Sequence, residues 1–110
     1  MQQYEIWWAN LPPPAGRKPV LLLSRNPAYL YLKRVLAVEV TSQVRGISLE
    51  LPLGRSEGLK VRSVANFDNI RQIPVTWIES KIGTLAPSRN VEAKRALGHA
   101  LGWDELIDVG

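Results

Sequence analysis

Val20–Leu23 is a run of four apolar residues with no polar alternation, entered directly from two cations and a proline. The run is too short for a free-standing helix. Its lack of alternation predicts a strand buried on both faces, central in a small sheet. Pro19 has no N–H to give a ladder, so it is expected at that strand's first turn. Gly16-Arg17-Lys18 stands immediately before it. Strand alternation sends Arg17 and Lys18 to opposite faces, which predicts that only one of them faces a given pocket.

Tyr4–Leu11 is rich in strand formers and predicts a first strand on which Trp7 and Trp8 point to opposite faces. One is then a core residue, and the other is left to stack on a partner or close a dimer. Pro12-Pro13-Pro14-Ala15-Gly16 predicts a stiff loop between the first two strands. Asn26-Pro27 ends the second strand, and Ala28–Lys33 fits a turn of helix. Val35–Val40 predicts a third strand with Leu36, Val38 and Val40 on one face and Ala37, Glu39 and Thr41 on the other. After a polar turn over 41–46, Ile47, Leu49, Leu51 and Leu53 alternate with Ser48, Glu50 and Pro52 as a half-exposed fourth strand. From Lys60 to Ile73 the alternation slips, which predicts a strand with a bulge near Asn66–Asn69. Pro74–Ser80 reads as a connection and Lys81–Leu85 as a last strand. Pro87 fits the first position of a helix over 87–101 with an apolar stripe of Ala93, Ala96, Leu97, Ala100 and Leu101, capped by Gly102.

Composition narrows the chemistry. One hundred and ten residues fit one domain with one core. With no cysteine, disulfides and thiolate metal sites are excluded, and a reducing cytoplasm is the simplest home. Met1–Val20 carries no apolar h-region, so no signal peptide is expected, and no apolar run approaches a membrane span. The net charge of +4 is unevenly spread: Asp104, Glu105 and Asp108 are the only charges after Trp103, leaving fourteen cations against seven anions, or +7, in residues 1–103. A surface of that sign suits nucleic acid or an acidic peptide. His99 is the single histidine and falls off the helix's apolar stripe, which rules out ribonucleases built on paired histidines. No His/Asp/Glu cluster has metal-ligand spacing, so neither metal nor other cofactor is expected. Any catalysis must therefore come from Lys, Arg, Thr, Ser and Asn acting on an already reactive substrate. RNA meets that demand, because its own 2′-hydroxyl is the nucleophile.

Glu5-Ile6-Trp7-Trp8, Pro12-Pro13-Pro14 and Gly16-Arg17-Lys18-Pro19-Val20-Leu21 together resemble the opening of the MazF/PemK family of toxin ribonucleases. The likeness continues through Val40-Thr41-Ser42, Ser63-Val64-Ala65-Asn66, Asp68-Asn69-Ile70-Arg71-Gln72-Ile73 and Gly83-Thr84-Leu85-Ala86-Pro87 to the closing Ala96-Leu97–Leu101-Gly102. It covers essentially the whole chain in order.

The resemblance implies a mainly β (α+β) fold, a small SH3-like β-barrel with short helices and one C-terminal helix. It implies a homodimer that cleaves single-stranded RNA sequence-specifically without metal and is inhibited by a cognate antitoxin, whose acidic disordered tail would suit the basic body. Family members use an arginine before the Pro-Val of the second strand and a threonine ending the third; these places hold Lys18 and Thr41. Lysine there replaces a planar fork by a compact ammonium, with Arg17 next door as the competing cation. Asn10 stands where many relatives carry aspartate. On this reading Gln43, Asp68 and Asn69 read base edges, Arg45 and Arg71 hold the backbone, and Arg17 and Ser42 border the RNA. Plainer roles are also open: Thr41 satisfying its own turn, and Asp68 pairing with Arg71. A second function for the same barrel is a catalytically weak or inactive binding relative of gyrase-poison type, acting through Ala93–Leu101 and Trp103.

Overall fold

The computed structural model describes residues 1–109. Its strands are β1 (Glu5–Asn10), β2 (Arg17–Leu22), β3 (Arg34–Thr41), β4 (Glu50–Leu53), β5 (Ser63–Pro74) and β6 (Ile78–Thr84). Its helices are α1 (Ala28–Tyr31), α2 (Asn90–Leu101) and α3 (Asp104–Ile107). The strands form one antiparallel sheet in the order β4-β5-β3-β2-β1-β6, curled into a half-barrel. No helix among the described residues is long and apolar enough to cross a membrane.

β2 is central, as its apolar run predicts, and Val20, Leu21 and Leu22 are all fully buried. Alternation sends Leu21 into a core with Ile6, Val38, Val40, Leu51 and Phe67, covered by Ala93 and Ala96 of α2. Val20 and Leu22 enter a second core with Ala9, Val35, Ala37 and Ile73. Pro19 sits inside β2, but the β2–β3 ladder begins at Val20↔Glu39, so its missing N–H breaks no pair with β3. Trp7 packs against the second core and donates its indole N–H to Glu5 Oε1 at 2.9 Å. Burial raises the Glu5 pKa, but hydrogen bonds from Trp7 and Lys81 outweigh it and hold the carboxyl below its ordinary value.

The bulge in β5 is where the slipped alternation puts it. Val38 pairs with Ile70 and Val40 with Ala65, so two steps along β3 face five along β5. Asn66 Oδ1 accepts the Asp68 N–H at 2.9 Å and holds that excursion. Elsewhere the turn after β4 closely approaches β6. A side chain at Gly58 would strike the Ile82 carbonyl, and one at Gly83 the Glu57 carbonyl; Gly58 also has φ +91°. Both positions therefore need glycine.

Four expectations fail in detail. The fourth strand starts at Glu50, not Ile47, because Glu50 is buried rather than solvated and its Oε1 accepts the N–H groups of Arg45 (3.1 Å) and Gly46 (2.9 Å). The Glu50 N–H donates to the Ile47 carbonyl, closing a turn where a ladder was expected. Leu36 is 46% exposed although it shares a face with Val38 and Val40. β6 begins at Ile78, directly after a short 3₁₀ turn over Val75–Trp77. Pro87–Arg89 is 3₁₀ and the α-helix proper starts at Asn90; its Leu101 is 47% exposed. Gly102 caps it at φ +71°, and α3, which the periodicity missed, folds back onto Gly98, where a Cβ would meet Leu106.

Candidate active site

The Val20↔Glu39 pairing carries the geometry. Just beyond it, where the ladder has ended, Lys18 of β2 and Thr41 of β3 line one cleft. Two clefts meet here. The first, about 540 Å³, is bordered by Trp8, Arg17, Lys18, Thr41, Ser42 and Lys60 over an apolar wall that includes Val40, Leu59 and Ile82. The second, about 740 Å³, is bordered by the Pro12–Pro14 loop, Lys18, Glu39, Gln43 and Arg71. Lys18 is the residue common to both.

The expectation that only one of Arg17 and Lys18 faces a given pocket is therefore wrong, since both border the first cleft. That cleft lies across the ends of β2 and β3, where neighbours from both faces reach it; Val40 and Thr41 do the same from β3. The alternation is still visible in the ion pairs. Arg17 turns to β6, with Nε 3.0 Å from Glu79 Oε1, and its guanidinium carbon lies 4.2 Å from the centre of the Trp8 indole. Lys18 turns to β3, with Nζ 3.7 Å from Glu39 Oε1.

Glu39 is a carboxylate that the sequence alone did not single out. Its other oxygen accepts from Arg71 Nη1 at 3.0 Å, so Arg71 pairs with Glu39 and not with Asp68. One carboxylate thus holds two cations on neighbouring strands, and its side chain is only 15% exposed. The signal was present in the third strand's alternation, which puts Glu39 on the face of Thr41, two residues away. Thr41 Oγ1 accepts the Gln43 N–H at 3.1 Å, so the hydroxyl does satisfy its own turn. Its own proton remains to be donated outward. Arg45, Asp68 and Asn69 border neither cleft; Asp68 and Asn69 are exposed on the β5 bulge, and Arg45 serves the Glu50 turn through its backbone. Trp8 faces the first cleft while Trp7 packs inward. His99 is exposed on α2. Among the described residues no group of three His, Cys, Asp or Glu side chains is placed to hold a metal ion.

The cations, the hydroxyls and the apolar floor of the first cleft suit a phosphodiester with an attached flat ring. Comparisons with known proteins give the family. The model of the PemK-like, MazF-like toxins of type II toxin–antitoxin systems matches residues 2–101. The probable endoribonuclease MazF2 of Mycobacterium tuberculosis is 38% identical over 104 residues, covering 93% of this chain and 99% of that protein. The solved Mycobacterium tuberculosis toxin MazF-mt6 superposes with a TM-score of 0.84 at 33% identity, covering 89% of this chain and 96% of its own. A mycobacterial endoribonuclease solved in complex with its cognate antitoxin superposes with a TM-score of 0.80 at 27% identity, over 93% and 95% of the two chains.

Proposed function

Because the chain belongs to the PemK-like, MazF-like toxins of type II toxin–antitoxin systems, we propose that it cuts single-stranded RNA at the ridge between its two clefts. The observation that carries this reading is the juxtaposition of Lys18 and Thr41 on the wall of one cleft, with Lys18 also reaching the other. A strand of RNA laid across the ridge would place one phosphate at Lys18 and its flanking nucleotides in the two clefts. The adjacent 2′-oxygen attacks phosphorus, the bond from phosphorus to the 5′-oxygen breaks, and the products are a 2′,3′-cyclic phosphate and a 5′-hydroxyl. The 2′ proton leaves to solvent, and the departing 5′-oxygen gains one from solvent. The Lys18 ammonium offsets the charge that builds on the phosphate, and the Thr41 hydroxyl donates to a non-bridging oxygen. Ser42 borders the first cleft and Gln43 the second, and on this reading they would contact the flanking nucleotides.

The working form would be a cytoplasmic homodimer restrained by an antitoxin with an acidic disordered tail. The +7 body supplies the attraction, and such a tail could lie across the same clefts. The test is incubation of the purified protein with a long single-stranded RNA in EDTA. Cleavage should persist under chelation and vanish at a site whose preceding nucleotide is made 2′-deoxy. Loss of cleavage in EDTA would refute the mechanism, and an intact RNA under all conditions would favour a binding relative without activity.

A further inference from the structure

Arg17 is built differently from every other cation at the site. Its guanidinium lies over the Trp8 indole at 4.2 Å, and its Nε is fixed by Glu79 Oε1 at 3.0 Å. The guanidinium carbon thus sits over an aromatic ring and one edge of the group is pinned. Yet the side chain is 53% exposed. The exposed part adjoins the first cleft, whose walls are mostly apolar and whose border carries Lys18, Lys60, Thr41 and Ser42. No carboxylate borders that cleft among the described residues.

A fixed planar cation stacked on an indole, with its outer face open, is a platform for a second flat ring. We propose that the Trp8–Arg17 pair is a nucleobase subsite: a base next to the cut phosphate stacks on the outer face of the Arg17 guanidinium, in a three-layer stack with Trp8 beneath. This deepens the ribonuclease reading and rests on it. It also divides the labour between adjacent residues: Lys18 holds the phosphate and Arg17 holds a base. An apolar peptide side chain would fit the walls equally well, but the border carries three cations and no acid of its own, Glu79 and Glu39 pairing with Arg17 and Lys18 from outside it, which favours an occupant that is both flat and anionic. Stacking supplies affinity with little discrimination among bases, because every base has a π face. Sequence choice then falls to the polar groups at the border.

The test uses the intact protein and nuclear magnetic resonance. The Trp8 indole N–H signal is identified by its absence in Trp8→Phe, and the Arg17 Nε–H signal by its absence in Arg17→Lys. Each nucleoside 3′-monophosphate is titrated to millimolar concentration beside ribose 5-phosphate, which carries the same anion without a base. At least one nucleotide should shift both signals in a saturable way, and ribose 5-phosphate should shift neither comparably. Arg17→Lys should keep the affinity for ribose 5-phosphate while lowering that for the nucleotide by roughly 5- to 150-fold, the usual worth of one stacked base. Equal responses to ribose 5-phosphate and to every nucleotide would overturn the subsite, as would Arg17→Lys retaining full nucleotide affinity. An acidic apolar peptide that shifts Trp8 where no nucleotide does would mark a peptide site and equally refute it. The same samples are assayed on long single-stranded RNA in EDTA, so the two readings fail separately. RNA cut with Trp8 and Arg17 unmoved sinks only the stack, and nucleotide shifts with RNA intact sink only the ribonuclease.

Discussion

The two clefts that meet at Lys18 differ in how their charge is held. The first is bordered by Arg17, Lys18 and Lys60, with no acid among its lining residues; Arg17 and Lys18 pair with Glu79 and Glu39, which lie outside that lining. The second has Glu39 between Lys18 and Arg71, so much of its positive charge is already neutralised. A cation with a partner on the next strand is oriented but partly spent; one without a partner is available but mobile. Lys18 belongs to both cases. It is steered from one side by a carboxylate at 3.7 Å, a loose pairing, and is open to the other cleft. That posture suits the role proposed for Lys18, meeting a phosphate in a defined place without first breaking a tight pair.

The largest effect should come from Lys18 itself. Lys18→Ala should lower the single-turnover rate by about 10²–10³, the usual loss on removing one charge-stabilising donor, ~2.7–4 kcal/mol. Lys18→Arg should keep or raise the rate, since a planar fork can grip two phosphate oxygens. Arg17→Ala should act mainly on KM, because its guanidinium is committed to Trp8 and Glu79. A collapse of the rate in Arg17→Ala beside a mild Lys18→Ala would reverse the two roles.

Much of this was legible in the chain because the informative signals were local. Val20–Leu23 announces a central strand, the slipped alternation of 60–73 announces a bulge, and Pro87 and Gly102 bracket a helix. The failures share a physical cause: each depends on what a side chain meets across the sheet. Glu50 looked like a solvated strand residue because nothing in its neighbours reveals that its carboxylate will accept the backbone N–H groups of Arg45 and Gly46. Arg71 looked like a partner for Asp68, three residues away, but the β3–β5 register brings Ala37 opposite it and leaves Glu39 within reach. Alternation gave the faces of Arg17 and Lys18 correctly. It could not give the position of the cleft, which spans the strand ends and gathers residues from both faces.

Glu39→Gln tests the steering directly and should have the next largest effect. The amide keeps the shape of the side chain while removing the charge that holds Lys18 and Arg71. Turnover should fall by roughly tenfold, equivalent to ~1.4 kcal/mol of transition-state stabilisation, because Lys18 is less well oriented. RNA binding should tighten at low salt over the same substitution, since two cations are released to the phosphates. Weaker binding together with unchanged turnover would show that Glu39 neither steers Lys18 nor competes with RNA.

The smallest effect, and the finest test of the contrast between the clefts, lies in Arg71. A single-strand contact to one phosphate contributes about 0.7 to the slope of log affinity against log salt. Were Arg71 free, Arg71→Ala would make that slope shallower by this amount. In the structure its charge is engaged with Glu39 at 3.0 Å, so in the parent protein Arg71→Ala should change the slope by well under ~0.7. In the Glu39→Gln background the same substitution should recover the full ~0.7, because there the guanidinium has only the RNA to neutralise. The two measurements form a double-mutant cycle, and the difference between them is the coupling of Arg71 to Glu39, separated from any general loss of positive charge. Equal slope changes in both backgrounds would mean that bound RNA displaces Glu39 outright, and the second cleft would then behave like the first.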